Sequence, residues 1–320
     1  MGERYFITGA QGCIGSWIVK ILIERGDEAV VFDRSDDSRR LAAVMLPDDV
    51  ARVRFITGDI TETAAVLSAL RDSDVQRVIH LAGLQMPTCK ADPVSGALVN
   101  VVGTLNVFEA VRQTAAKSVV YASSAAVYGL NDDEQALDET AFCEPSTHYG
   151  VFKLTNEGNA RIFFLDHGVS SVGLRPLTVY GVNRDTGLTS DPTKAMKSAV
   201  IGRPFHIRFS GATDFQYVGD TAAAFIACAD RAPQGAHVFN LHGETLTVDQ
   251  IARFINEESR SDLVTFSGPP IPIAPAIDDS AIKRTIGPLP STPYTNGIRE
   301  TMKRFAELHD SGRLDTSDIT

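Results

Sequence analysis

The chain has no run of basic residues and an excess of acid: 30 Lys and Arg against 40 Asp and Glu in 320 residues, a formal charge of −10 and a pI near 5.2. That field repels nucleic-acid backbones and anionic lipid, so neither is an expected partner. Cysteine is scarce. The four, Cys13, Cys89, Cys143 and Cys228, lie apart with no CxxC spacing, which favours free thiols over a disulfide frame or zinc site, and no metal is expected. No unbroken apolar run approaches the roughly 18 residues of a membrane span. Met1-Gly2-Glu3-Arg4-Tyr5 leads straight into a strand-like segment, so the expectation is a chain with no signal peptide that works in the cytoplasm. Internal repeats and low-complexity linkers are missing too. What is present is 43% hydrophobic residues, enough to bury a large core as one large α/β domain or two unequal ones.

The chain is organised around its first stretch. Tyr5 to Thr8 is short, apolar and β-favouring; Gly9, Gly12 and Gly15 follow at a spacing of three; Ile14, Ile18, Ile21 and Leu22 then recur at helical period. Strand, tight turn and helix in that order bring the main chain close to a diphosphate, with the free N–H groups and dipole of the new helix facing its charge. Gly9 and Gly12 permit the turn and the close approach, and Gly15 the packing of helix on sheet. A second strand, Glu28 to Phe32, ends in Asp33, eighteen residues beyond Gly15, where a carboxylate meets both hydroxyls of an adenosine ribose.

Strand and helix segments keep alternating. Val53 to Thr57 leads into Gly58-Asp59-Ile60, and a helix is expected over Thr63 to Leu70. Arg77 to Leu81 leads into Ala82-Gly83, and Ser118 to Ala122 into Ser123-Ser124. Between these lies a helix with Asp92 as N-cap and Pro93 in its first turn, apolar on several faces from Leu98 to Val111 and so expected to be buried. A helix over Ser146 to His167 stops at Gly168, before a strand at Ser171 to Arg175. This pattern predicts an α/β doubly wound parallel sheet with helices on both faces, binding its ligand at the carboxyl ends of the strands. Beyond Pro176 the pattern weakens. A loop rich in Gly, Asn, Asp and Thr precedes a helix over Pro192 to Ile201 and a strand over Phe205 to Phe209; Glu257 to Pro293 carries a proline cluster at Pro269, Pro270, Pro272 and Pro275. The expected organisation is a dinucleotide-binding domain over 1–175, rejoined by 213–256, and a small C-terminal substrate-binding domain built from the insertions 176–212 and 257–320.

Chemistry is expected at Ser124, Tyr149 and Lys153. Tyr149 and Lys153 are four apart in a predicted helix, hence one turn apart on one face, and Ser124 ends a strand at the ligand edge. Removing hydride from an alcohol needs a base for the hydroxyl proton, and a free tyrosine, with a pKa of about 10, is a poor one. A nearby lysine ammonium would favour the phenolate and lower that value, while Ser124 orients the substrate oxygen.

Gly9-x-x-Gly12-x-x-Gly15, Asp33, Gly58-Asp59-Ile60, His80-Leu81-Ala82-Gly83, Asn100-x-x-Gly103-Thr104-x-Asn106, Ser123-Ser124-Ala125-Ala126-Val127-Tyr128-Gly129, Tyr149-x-x-x-Lys153 and Arg175-Pro176-x-x-Val179-Tyr180-Gly181 stand in one order. With them the chain resembles the extended short-chain dehydrogenase/reductases, the branch that holds NAD-dependent sugar epimerases and dehydratases, as far as about Asp220. The resemblance implies a Rossmann fold and NAD held by Gly9, Gly12, Cys13, Ile14 and Gly15. It implies that Asp59 and Ile60 bracket the adenine, that Leu81, Ala82, Gly83, Ala122 and Ser123 line the cofactor, and that Asn100 lies near the nicotinamide end. Tyr149 and Lys153 would touch cofactor as well as substrate, with Pro176, Leu177 and Val179 closing over the nicotinamide. A homodimer through the helices carrying Asn100 and Tyr149 is also implied. Asp33 matches the NAD type; adjacent Arg34 is a group that accepts the extra phosphate of NADP.

Departures from the family narrow the chemistry. Ser124-Ala125-Ala126 stands where dehydratases carry Thr-Asp-Glu, so water elimination lacks its acid pair. Thr213 replaces the arginine that meets a nucleotide-sugar diphosphate, and Thr178 replaces the family's Asn. Substrate contacts are expected from Leu84, Gln85, Ser124, Thr178 and Arg184, with Arg203 and Arg208 as further candidates for an anion. The leading expectation is an NAD-dependent oxidoreductase acting on a secondary hydroxyl of a sugar, sugar acid or hydroxy acid. The alternative is a sugar or nucleotide-sugar 4-epimerase that retains its NAD. A non-catalytic dinucleotide-binding protein is the remote alternative, and the intact Ser124, Tyr149 and Lys153 count against it.

Overall fold

The computed structural model describes residues 2–129, 136–271 and 276–319. In chain order its strands are β1 (Arg4–Thr8), β2 (Glu28–Asp33), β3 (Arg54–Thr57), β4 (Arg77–His80), β5 (Ser118–Ala122), β6 (Ser170–Arg175), β7 (Thr178–Tyr180), β8 (Phe205–Ile207), β9 (Ala212–Tyr217), β10 (Ala236–Asn240), β11 (Glu244–Thr247) and β12 (Val264–Phe266). Seven form one parallel sheet in the order β10-β6-β5-β4-β1-β2-β3. The order reverses at β1, so the loops after β1 and β4 turn away from each other and leave a crevice at the carboxyl edge.

β1 shows why the sheet is covered on both faces. Side chains alternate along a strand. Tyr5 and Ile7 join Val31, Ile79 and Val120 in a core that includes the helices Cys13–Arg25 and Val218–Arg231. Phe6 points the other way, into a second core with Val30, Phe32, Val78 and Val119 under the helices Thr63–Ser73 and Gly103–Arg112. The near-continuous apolar strands of the sequence therefore serve two helical layers, as a parallel sheet requires.

The second half departs from expectation in detail. Within 213–256, only the helix Val218–Arg231 and strand β10 belong to the main layers; β9 pairs instead with β7 and β11 in a three-stranded sheet. Packing explains the change of side. The rings of Tyr180 on β7 and Phe215 on β9 stack at 3.8 Å, and Tyr217 turns its edge to Trp17 of the first helix. β8 and β12 form a separate two-stranded sheet. Of the proline cluster, Pro272 and Pro275 lie outside the described residues.

Asp92 caps its helix as expected, accepting from the Ser95 N–H at 3.0 Å. The helical run from Pro93 to Arg112 is long and apolar enough in composition to cross a membrane, yet half of it is buried in this protein. The burial expected from Leu98 to Val111 holds for Val107, Phe108, Ala110 and Val111 but not for Leu98 and Val102, which are exposed, as is Val94 before them. A π turn over Leu98–Val102 interrupts the run and carries the buried Asn100.

Asp214 on β9 is fully buried and accepts from the Gly243 N–H, Gln216 Nε2 and His242 Nδ1. The hydrogen bond to Asp214 raises the His242 pKa above its ordinary value, against the cost of burial. A raised histidine stabilises the fold most below its unfolded value of about 6.5 and loses that contribution as pH rises through the folded value. The urea midpoint of the native chain should therefore exceed that of His242→Gln most at pH 6, with the gap narrowing towards pH 9. A gap independent of pH would assign His242 a purely packing role.

Candidate active site

The turn after β1 is built from bare backbone. Gly9 has φ +68°, and a Cβ there would lie 2.5 Å from the Ala82 amide nitrogen, so only glycine lets this turn pack beneath the loop after β4. A Cβ on Gly15 would lie 2.5 Å from the Gly9 carbonyl oxygen, so the helix is packed against the turn itself. Gly12 is the N-cap of helix Cys13–Arg25 and offers no side chain to its first amides. Cys13, Ile14 and Gly15 face a cavity of about 720 Å3, inside the roughly 300–1,000 Å3 usual for cofactor and ligand sites. A helix start facing such a cavity suits an anion. Burial pushes the Cys13 thiol up to about 12, so it packs rather than reacts.

Asp33 stands at the end of β2 on the cavity wall and also braces the glycine turn: one oxygen accepts the Gln11 N–H at 3.2 Å, the other the Arg34 N–H at 2.9 Å. Asp59 takes the N–H and hydroxyl of Thr61 at 2.9 and 2.8 Å, bonds that hold its carboxyl below the ordinary value. Arg34, Asp59, Ile60, Leu81, Ala82, Gly83, Ala122, Ser123, Pro176, Leu177 and Val179 line the same cavity.

Helix His148–His167 begins where Thr147 accepts from the Gly150 N–H at 3.1 Å, which places Tyr149 in the first turn and Lys153 one turn later. Both line the cavity with Ser124, whose hydroxyl hydrogen-bonds the Tyr149 phenol. Lys153 Nζ donates to the Ala122 carbonyl at 2.7 Å and lies 5.5 Å from the Tyr149 ring centroid. Burial brings the Lys153 ammonium down to about 8. Burial also raises the Tyr149 phenol; the Ser124 hydrogen bond and then the charge of Arg184 act in the opposite direction. In the chain without cofactor the balance leaves the Tyr149 phenol raised, with desolvation the largest cause.

Behind these groups lies a polar layer. Thr104 donates its hydroxyl to the Asn100 carbonyl at 2.7 Å, so toward His80 it acts as acceptor, which assigns the imidazole proton to Nε2 and leaves Nδ1 to accept from Thr8 at 2.7 Å. Burial drops His80 to about 3, so the ring is neutral. Asn100, expected to bind cofactor near its nicotinamide end, is not itself on the cavity wall. It lies behind Gly83, where a Cβ would approach its Oδ1 to 2.6 Å, and its amide donates to the Leu84 carbonyl at 3.2 Å. Its role is to hold the Gly83–Leu84 loop from behind.

Among the expected substrate contacts, Leu84, Gln85 and Arg184 line the cavity. Thr178 does not: alternation along β7 turns Val179 to the cavity and Thr178 inward, where its hydroxyl meets that of Thr213 at 2.6 Å. Arg203 and Arg208 also lie off the cavity, and Arg208 is paired with Asp191 at 2.7 Å. Sequence reasoning named Arg184 but missed Arg40 and the residues that share its wall, Asn183, Asp185, Thr186, Leu188 and Thr189. Arg40 donates to the Asn183 carbonyl at 3.0 Å and pairs with Asp185, a contact 145 positions apart that leaves no local signal. Glu157 was missed as well, though it continues the four-residue spacing of Tyr149 and Lys153.

The glycine turn at the strand-order reversal and the Ser-Tyr-Lys cluster in one cavity define a dinucleotide-dependent oxidoreductase site of the short-chain dehydrogenase/reductase type. The family model described as NAD dependent epimerase/dehydratase matches residues 5–241, and the chain belongs to that family. UDP-glucose 4-epimerase of Azospirillum brasilense is 28% identical over 321 residues, covering 92% of this chain and 89% of that one. The UDP-glucose 4-epimerase of Thermus thermophilus in complex with NAD aligns with TM-score 0.81 and 26% identity over 94% of this chain and 98% of that one. UDP-N-acetylglucosamine 4-epimerase from Methanobrevibacter ruminantium, in complex with UDP-N-acetylmuramic acid, aligns with TM-score 0.84 and 25% identity over 96% and 99%. The family is NAD-dependent, and the bare glycine turn, the unblocked helix start and Asp33 fit that cofactor.

Glu157 anchors the end of β5. It pairs with Arg175 at 2.6 Å, both side chains under 10% exposed, and accepts the Ser123 hydroxyl. Removing one partner of a buried pair costs roughly 3–5 kcal/mol. Glu157→Ala should lower the unfolding free energy by about that amount in chemical denaturation; a loss under about 1 kcal/mol would mean water or a neighbour satisfies Arg175.

Proposed function

We propose that the protein is an NAD-dependent sugar 4-epimerase in which one cavity oxidises a secondary hydroxyl and then restores it with inverted configuration. The observation that carries this reading is the joint presence of Ser124, Tyr149 and Lys153 on the cavity wall of a chain whose near-full-length relatives include 4-epimerases. When bound, NAD supplies hydride acceptance and return. The glycine turn with Cys13 and Ile14 would hold its diphosphate, Asp33 its adenosine ribose, Asp59 and Ile60 its adenine, and Pro176, Leu177 and Val179 its nicotinamide end. Ser124 holds the substrate oxygen in line with the phenol. Tyr149 takes the hydroxyl proton during oxidation and gives it back during reduction, so the residue ends each turnover as it began. Lys153 adds positive charge beside the phenol when protonated, which favours the phenolate.

A second reading, net oxidation with release of NADH, is favoured by one particular feature. Thr213 and Thr178 occupy each other's hydrogen-bonding capacity away from the cavity, and Arg208 is spent on Asp191, so these positions offer a nucleotide-sugar diphosphate no free cation. That suits a free sugar or sugar acid. Incubating the protein with NAD and sugars, uronic and aldonic acids and nucleotide sugars separates the readings: epimer formed without accumulating absorbance at 340 nm supports the first, stoichiometric NADH the second. In either case Tyr149→Phe should lower kcat by about 100-fold or more while NAD affinity stays within about twofold. Undiminished turnover in that variant would remove Tyr149 as the acid–base group.

We further infer a homodimer. Val151, Ile162 and Leu165 are exposed on one stripe of helix His148–His167, beside the exposed Val94, Leu98 and Val102 of the neighbouring run. A Cβ on Gly158, in the same stripe, would meet nothing within 4 Å. Two such helices from each copy bury this surface as a bundle. Leu165→Glu should shift the protein from dimer to monomer in analytical ultracentrifugation; a native chain that already sediments as a monomer at micromolar concentration would reject the interface.

A further inference from the structure

We infer that Arg184 is an anion anchor at the substrate end of the cavity, and that the substrate carries a carboxylate within reach of the reacting carbon. The inference rests on the reading that a hydroxyl is oxidised at Tyr149, and it adds the chemical class of what carries that hydroxyl.

Four basic side chains line the cavity: Lys153, Arg34, Arg40 and Arg184. Three have other work. Lys153 is held on the Ala122 carbonyl, Arg40 is paired with Asp185, and Arg34 lies at the opposite end, close enough to Asp59 to lower its pKa. Arg184 differs from them. Among the described residues no carboxylate forms an ion pair with it, its one hydrogen bond goes to the Thr189 hydroxyl at 3.2 Å, and its Nε is buried with no partner. The nearest acid in sequence, Asp185, is turned away to Arg40.

A buried guanidinium donor left unsatisfied is costly, and the loop is built to keep it that way. Gly187 has φ +101°, and a Cβ there would stand 3.1 Å from the Arg184 Nη2, so glycine lets the backbone lie against the fork. Thr189 fixes one edge. The charge reaches the reaction centre, since Arg184 is among the groups that lower the Tyr149 phenol against its burial. It also acts on Cys13 in the glycine turn, which raises the competing possibility that the guanidinium meets the dinucleotide's diphosphate. The substrate is the assigned partner because Ser124 and Tyr149, which address the hydroxyl being oxidised, line the same cavity as the guanidinium; NAD affinity of an Arg184 variant separates this from a contact with the diphosphate. A planar fork with a free edge fits a carboxylate with two oxygens.

The test compares matched pairs on the NAD-loaded full-length chain: glucuronate against glucose, and UDP-glucuronate against UDP-glucose, each with turnover and with calorimetric binding. The native protein should prefer the acid of at least one pair by about tenfold or more, and Arg184→Gln should erase that preference while leaving the NAD dissociation constant within about twofold. Arg184→Lys, which keeps the charge but loses the fork, should retain part of it. A loss of NAD affinity as large as the loss of acid preference would overturn the proposal in favour of the diphosphate. No preference for either acid in the native protein would overturn it outright. Binding keeps the two claims apart: acid binding that depends on Arg184 without turnover would reject oxidation at Tyr149 and leave the anchor standing.

Discussion

The contact between the turn after β1 and the loop after β4 is the constraint on which the rest of this structure depends. Two adjacent parallel strands lead their chains in opposite directions at the reversal of strand order, and the gap between those departures is the cavity. The gap keeps its shape because Gly9 has no Cβ to wedge against Ala82 and Gly15 none to push the first helix off the turn. Everything lining the cavity is then referenced to this edge: Asp33 braces the turn through the Gln11 amide, and Asn100 braces the facing loop through Leu84. Larger side chains at either glycine would force apart backbone segments rather than flexible side-chain ends, which is why the cost cannot be relaxed locally.

Burial dominates the protonation of Tyr149 and Lys153. Both Lys153 and Tyr149 are desolvated, and desolvation favours the neutral form of each: it lowers the ammonium and raises the phenol. In the free chain the two effects oppose the phenolate. The groups that counter them are the Ser124 hydroxyl and Arg184, one a hydrogen-bond donor and one a fixed charge. The neutral His80 lies in the layer behind, where an imidazolium would add repulsion to Lys153; its burial removes that competitor. The polar layer is therefore not incidental support. With its imidazole neutral it keeps positive charge out of the packing behind Lys153.

The fold was legible because its signals are local. A buried strand, a glycine spacing and a helical period each declare themselves within twenty residues, and the parallel order follows from their alternation. The Ser-Tyr-Lys cluster was legible for the same reason, two members being one helical turn apart and the third ending a strand. What sequence could not supply was the facing of short strands and long-range pairing. Thr178 is one residue from Val179, yet the pleat sends one to the cavity and the other to Thr213. β9 follows the small sheet because Phe215 stacks on Tyr180, a ring pair 35 positions apart with no local trace. Arg40 and Asp185 are the extreme case.

That last pair shows how the small sheet is coupled to the large one. Trp17 of the first helix donates to the Val182 carbonyl at 3.2 Å, Asn183 donates back to Ser16 at 2.9 Å and to the Arg40 carbonyl at 2.9 Å, and Arg40 holds Asp185. The segment carrying Arg184 is thus clamped on both sides to the helices that flank the glycine turn. Asn183 accepts φ +75° to make the clamp, a backbone state that asparagine tolerates better than bulkier residues. A loop tied down this way presents its guanidinium in one place instead of searching for its partner, so less ordering entropy opposes ligand binding there. The same ties join the wall carrying Arg184 to the helix that follows the glycine turn, so displacement of either is resisted by the other.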